Sequence, residues 1–144
     1  LIEFRPEHRT TSLSEPLRYL TNLIKKRCTT FILSDFLDTK EGESAFEEAL
    51  KIASGKHDLV GIRIYDRRET ELPDVGIVEL QDAETGRKAW VDTSSRTVRD
   101  TYRRRWEESS RAIDTTLRRS RVDSVSVATG EDYVKSLIKL FKKR

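Results

Sequence analysis

Methionine is absent from the 144 residues, and Cys28 is the one cysteine. A natural chain starts with Met unless it is processed, and the opening Leu1-Ile2-Glu3-Phe4 lacks the apolar core and cleavage site of a signal peptide. We therefore expect a piece cut from a longer protein. A single thiol cannot close an internal disulfide, and beside only two histidines, His8 and His57, it offers too few ligands for a zinc cluster. Both points suit a reducing, cytoplasmic setting. No stretch approaches the roughly 18 to 20 consecutive apolar residues of a membrane span, so no membrane contact is expected from this segment. The six glycines form no phosphate-binding loop, and no Ser or Cys occupies a recognisable nucleophile elbow.

A large excess of either charge is also missing, since 28 Lys and Arg face 25 Asp and Glu for a net +3. The balance hides an asymmetry. From Arg96 to Arg144 there are 14 basic and 7 acidic residues, net +7, against 14 basic and 18 acidic before them, net −4. Asp35, Asp38, Glu41, Glu43, Glu47 and Glu48 are accompanied by Lys40 alone, a run that reads as a solvated face before it reads as a partner site.

The length suits one core burying roughly two-thirds of the unfolded chain's surface, and no repeat, low-complexity tract or long linker divides residues 1–144. Helical and strand signals alternate, the pattern of a βαβ architecture. Ser12-Leu13-Ser14-Glu15 has capping-box spacing and opens a helix to about Lys26, with Leu13, Leu17, Leu20, Leu23 and Ile24 on one face. Thr29-Thr30-Phe31-Ile32-Leu33 is a continuous apolar, β-branched run, as expected of a strand buried on both faces. Ser44-Ala45-Phe46-Glu47 predicts a second capped helix, with Gly55 as its C-terminal cap. Asp58 to Asp66 reads as the next strand, set parallel to the first by a right-handed crossover. Gly76–Gln81 and Arg87–Asp92 alternate with period two and predict a hairpin attached to the parallel sheet. A long helix from about Arg96 to Arg119 carries Val98, Tyr102, Trp106, Ile113 and Leu117 along one stripe. A strand from Val122 to Ala128 and an amphipathic helix from Glu131 to Lys143 complete the chain.

The fold class that follows is α/β, a mostly parallel sheet with helices on both faces and an inserted β-hairpin. Three parallel strands are few for such a sheet. We therefore expect an N-terminally truncated unit whose strand at Thr29–Leu33 has an unprotected edge, open to self-association with another copy.

Ligands of open parallel sheets bind beyond the strand carboxyl ends, where Asp35 and Asp66 fall. Both are candidates for Mg²⁺, and a Mg-dependent phosphohydrolase using the pair is the enzyme alternative. The plainer reading is that each Asp starts a turn or caps a helix. Cys28, between a basic helix end and an apolar strand, is expected to have no near neighbour to activate it and reads as a small buried residue. The arginines between Arg96 and Arg121 form a dense basic set, making nucleic acid a rival partner, but Tyr102 and Trp106 lie on the apolar stripe and read as core. Arg99, Arg103, Arg104 and Arg105, with the basic stretch Lys135–Arg144, are the candidates for a surface meeting acidic groups.

Four segments carry a family resemblance: FILSDFLD, LVGIRIYDRRETELPDVGIVELQDAETGRKAWVDT, YRRRWEE and EDYVKSLIKLFKKR. They resemble the C-terminal half of the domain-of-unknown-function 58 family, whose domains are similar to von Willebrand factor type A domains. That resemblance implies a Rossmann-like sheet and a metal-ion-dependent adhesion site at the strand carboxyl ends. The segment HRTTSLSEPL resembles the family's Thr-bearing loop, with Thr11 as the implied ligand, and Asp35 matches the implied strand-end Asp. Thr10 and Ser12 stand where Gly and Asp are usual, and no Asp-x-Ser-x-Ser motif occurs upstream. The implied site is therefore incomplete, with weak or no Mg²⁺ binding expected here and possible binding in an intact parent. The implied role is a non-enzymatic interaction domain of a bacterial protein, partnering a MoxR-type AAA+ ATPase in complex assembly or maturation.

Overall fold

The computed structural model describes residues 12–37, 42–81 and 86–143. In chain order the elements are α1 (Ser14–Leu23), β1 (Thr29–Ser34), α2 (Gly42–Lys56), β2 (Asp58–Tyr65), a 3-10 turn (Arg67–Glu69), β3 (Ile77–Gln81), β4 (Lys88–Asp92), α3 (Arg96–Arg119), β5 (Asp123–Ala128) and α4 (Tyr133–Lys143). β1, β2 and β5 form a parallel sheet in the order β1-β2-β5, and β3 and β4 form a separate antiparallel pair. The result is the expected α/β fold.

Both crossovers in the sheet use a helix. α2 carries β1 into β2, with Thr29 opposite Asp58 and Ser34 opposite Arg63, and α3 precedes β5, with Val60 opposite Asp123. Successive strand residues point to opposite faces. On one face Leu59 and Ile32 join Leu17, Phe46, Ala49, Leu50, Ala53, Ile113 and Leu117, so α1, α2 and α3 build a common core. Gly61 permits this approach, because a Cβ there would lie 3.4 Å from Phe36 Cζ and from Ser124 Cβ, and 3.6 Å from Leu117 Cδ2. The other face is covered by α4, where Leu140 is buried and Phe141 meets Phe31 edge-on at 6.2 Å. Phe36 turns back into the core beside Phe46 at φ 61°, a left-handed conformation costly for a bulky residue, and its amide donates to Ser34 Oγ at 3.0 Å.

Several expectations are corrected. The Ser12–Glu15 box does not cap α1. Leu13 is the N-cap, without a side-chain bond, and Ser12 Oγ instead meets Ser14 Oγ at 3.3 Å. α1 ends at Leu23, before three successive cations that lack acidic partners a turn earlier. α2 begins at Gly42, ahead of Ser44, and runs through Gly55, with the His57 amide still bonded to the Ala53 carbonyl at 2.8 Å. The hairpin is not hydrogen-bonded to the parallel sheet. It is closed instead at its own base, where buried Thr93 donates from its amide (2.8 Å) and its hydroxyl (2.6 Å) to the Gly76 carbonyl. β1 is not buried on both faces. It is the edge strand, and Phe31 and Leu33 are 47% and 61% exposed. Among the described residues no strand pairs with its outer edge, and its apolarity reflects what could cover it, not what does so there.

Candidate functional site

Asp35 follows β1 directly and Asp66 follows β2, at the sheet end where ligands of open α/β folds bind. Both carboxylates close turns. Asp35 Oδ1 accepts from the Leu37 amide at 3.1 Å and from the Ser34 hydroxyl at 3.4 Å. Asp66 Oδ1 accepts from the Arg68 amide at 2.9 Å, while Glu69 Oε2 accepts from the Asp66 amide at 3.3 Å, a reciprocal capping box on the 3-10 turn. Thr11 lies outside the described residues. Among those described, no three His, Cys, Asp or Glu side chains converge. Mg²⁺ demands a near-octahedral oxygen shell and gives up water reluctantly, and Asp35 and Asp66, each with one oxygen engaged in its turn, supply few of the oxygens it needs.

The basic helix divides its arginines between two roles. Arg99 faces inward, donating from Nη1 to the carbonyls of Thr93 (2.5 Å) and Ser94 (2.9 Å) and pairing with Asp74 at 3.1 Å. It fastens the first turn of α3 to the hairpin base. Arg103, Arg104 and Arg105 are exposed, and Arg105 also borders the cavity beside Tyr102. Arg103 lies 3.6 Å from Asp100 and 4.0 Å from Glu107, and Arg104 donates to Thr101 Oγ1 at 3.4 Å. The interleaved aromatics turn inward. Tyr102 lines a shallow cavity of about 380 Å³ with Leu72, Leu80 and Val91, and burial, then the charge of Glu69, pushes its phenol above the ordinary value. Trp106 packs on Tyr65 at 5.5 Å between ring centroids. On α4, Lys135, Lys139, Lys142 and Lys143 are exposed, with Lys135 3.6 Å from Asp132; Arg144 lies outside the described residues.

Two features escaped sequence reasoning. Cys28 Sγ lies 3.4 Å from His57 Nδ1 and 3.5 Å from Thr30 Oγ1, so the fold gives the thiol a neighbour that the local sequence does not. His57 is 2% exposed, and its Nε2 has no hydrogen-bond partner among the described residues. The available signal was positional: each residue precedes the first residue of a parallel strand, and Thr29 pairs with Asp58. The second feature is Arg63 on β2, 3% exposed. Its Nη1 donates to Ser110 Oγ at 2.5 Å and its guanidinium lies 5.5 Å from the Trp106 ring centroid, with Nε unpartnered among the described residues.

The free edge of β1 adjoins a further surface. A groove of about 500 Å³ runs between it and α1, lined by Leu17, Tyr19, Leu20, Leu23, Phe31 and Leu33 among others. Tyr19 and Leu23 are 69% and 57% exposed, so apolar surface continues from the strand edge onto the helix.

Comparison with known proteins places this architecture in a family. An uncharacterized protein of Mycobacterium avium is 29% identical over 122 residues, covering 83% of this chain and 68% of that protein. Uncharacterized proteins of Mycobacterium bovis and Mycobacterium tuberculosis are each 30% identical over 122 residues, again 83% of this chain but 36% of theirs. The chain thus spans little more than a third of these longer relatives. No solved structure gives a significant match. The profile described as "Protein of unknown function DUF58" matches residues 1–112, and the chain belongs to that family.

Proposed function

We propose that this chain is the C-terminal part of a larger von Willebrand A-like domain that acts by binding a protein partner, not by catalysis. The partner is a MoxR-type AAA+ ATPase, met during complex assembly or maturation, and its contacting surface is acidic. One observation carries the choice of surface: Arg103, Arg104 and Arg105 are exposed around α3, Arg105 at the rim of the cavity that Tyr102 lines, while Tyr102 and Trp106 are half-buried. The three arginines stand beside exposed Glu107 and Glu108, and neither Tyr102 nor Trp106 is exposed between them. Single-stranded nucleic acid binding combines a cationic groove with aromatic platforms, so a carboxylate-bearing protein surface fits these arginines better.

The test is biolayer interferometry between this chain and a MoxR-type ATPase from the same genome. Binding that is lost when Arg103, Arg104 and Arg105 are all changed to Glu supports the reading. No binding, or binding indifferent to the triple reversal, overturns it. Binding to random DNA that collapses between low and physiological salt would point to nucleic acid instead.

A further inference from the structure

Arg63 of β2 meets Ser110 of α3, and Tyr65, the last residue of β2, meets Trp106, so α3 runs back along the strand. The turn of α3 before Trp106 therefore lies beyond the carboxyl end of β2, where open α/β sheets take their ligands. At that point Leu72 and the hairpin residues Leu80 and Val91 line a hollow of about 380 Å³ with Val98 and Tyr102 of α3. The volume is at the low end of the roughly 300–1,000 Å³ of ligand pockets, and the hollow is shallow, so it suits one inserted side chain better than a whole small molecule. Its walls are held in advance. Arg99 binds the Thr93 and Ser94 carbonyls and Asp74, and Thr93 closes the hairpin base on Gly76, so little ordering is left to be done on binding.

Thr97, Thr101 and Arg105 also border the hollow and recur every four residues, a polar line along α3 beside the apolar floor. Arg99 and Arg103 are paired with Asp74, Asp100 and Glu107, whereas exposed Arg105 has no ion pair among the described residues. Glu69, whose charge reaches the Tyr102 phenol, accepts from the Asp66 amide. We infer that this cleft receives an acidic segment of the protein partner, with an apolar side chain entering between Leu80 and Tyr102 and a neighbouring carboxylate pairing with Arg105. The inference rests on the partner-binding reading above and names its point of contact. An apolar floor alone would accept any hydrophobic chain, and the guanidinium at its rim selects one that carries a carboxylate.

Fluorescence anisotropy on the whole chain tests this with labelled octapeptides of glutamate that carry Leu, Ile, Phe or Trp at one central position, against one that carries Ser there. At least one apolar peptide saturates at micromolar concentration and binds about tenfold tighter than the Ser peptide. Arg105→Glu weakens that binding about tenfold. Arg118→Glu, the same change of charge at an exposed position near the other end of α3, leaves it unchanged. Thr101→Trp fills the hollow and abolishes the preference for the apolar peptide, with an unchanged circular dichroism spectrum. No saturable binding, equal binding of the apolar and Ser peptides, or equal losses in Arg105→Glu and Arg118→Glu overturns the inference. The broader reading fails separately. An ATPase that binds and is lost in the triple reversal, yet ignores Thr101→Trp, keeps that reading and removes the cleft, whereas peptide binding without ATPase binding keeps the cleft and removes the named partner.

Discussion

Arg63 offers a test of what holds the sheet against α3. The guanidinium is 3% exposed, and among the described residues no carboxylate lies within ion-pair distance of it. Its favourable contacts are the Ser110 hydroxyl at 2.5 Å and the Trp106 ring at 5.5 Å. A hydrogen bond from a charged donor contributes about 1.5–3 kcal/mol and a desolvated cation–π contact about 2 kcal/mol. Against these stands a desolvation penalty of several kcal/mol for a buried ion, of order 5 kcal/mol. The unpartnered Nε adds a further cost of about 1–3 kcal/mol. The two sides nearly cancel or favour removal. Arg63→Met, which keeps an apolar stem and gains a sulfur contact with Trp106, should therefore leave stability within about 1 kcal/mol of the native value or raise it. Ser110→Ala should behave oppositely, costing about 1–3 kcal/mol because the charge stays buried with one partner fewer. In the Arg63→Met background the same Ser110→Ala change should cost almost nothing. Urea unfolding followed by circular dichroism reads all three. A loss of more than about 2 kcal/mol for Arg63→Met alone would refute the reasoning and mean that the guanidinium has a partner these contacts do not include.

Much of the fold was legible because it depends on periodicity. The stripe from Val98 to Leu117 marked the body of α3, expected from about Arg96 to Arg119 and found there, and right-handed crossover anticipated the parallel pairing of β1 with β2. Helix starts were less legible. Ser12 and Ser44 have capping spacing, but a cap also needs the chain to approach in an extended conformation, and Leu13 at the start of α1 is already helical at φ −89°, ψ −21°. Period-two alternation identified β3 and β4 as a pair without saying which sheet they join. That is decided by Thr93 and Gly76 at the hairpin base, through a hydroxyl bond that no pattern encodes. For β1, apolar composition reports the surface that a strand can bury, whereas burial depends on which neighbours stand beside it.

The candidate site divides along the same line. Asp66 and Glu69 carry capping spacing in the sequence, and their reciprocal bonds are local, so the turn role could be read in advance. Arg99 could not be told from Arg103, because separating them requires the hairpin to be docked on the first turn of α3. Cys28 and His57 are 29 residues apart and meet only through strand register. Arg63 sits mid-strand, where an arginine ordinarily signals the solvent face. Its burial follows from the packing of α3 over that side of the sheet, which lies beyond any short-range signal.

Three further predictions follow from individual contacts. Gly61→Ala should change stability by less than about 1 kcal/mol, since its Cβ meets its neighbours at 3.4 Å, whereas Gly61→Val should cost about 1–3 kcal/mol in thermal unfolding by overpacking Phe36 and Leu117. Asp92 is held below the ordinary aspartate value by hydrogen bonds from the Ser94 side chain and amide, so its folded-state pKa is depressed. Its contribution is then complete above the unfolded pKa and disappears as pH falls through the folded one. The stability gap between native protein and Asp92→Asn, measured by urea titration at a series of pH values, should be constant at neutral pH and close in acid; a gap that widens in acid would contradict this. The last prediction concerns Mg²⁺. Asp35 uses Oδ1 for the Leu37 amide and the Ser34 hydroxyl, and Asp66 uses its carboxylate and amide for the following turn. Either carboxylate could offer its second oxygen, but the ion would have to give up tightly held water for it, and among the described residues no group of three acidic, His or Cys side chains is placed to compensate. Isothermal titration of this chain with Mg²⁺ should therefore give no saturable heat up to millimolar ion. Asp35→Ala should loosen the turn carrying Phe36 into the core without altering that result. Saturable micromolar binding lost in Asp35→Ala would show that Asp35 ligates a metal as well as closing its turn, and would refute the expectation of negligible affinity.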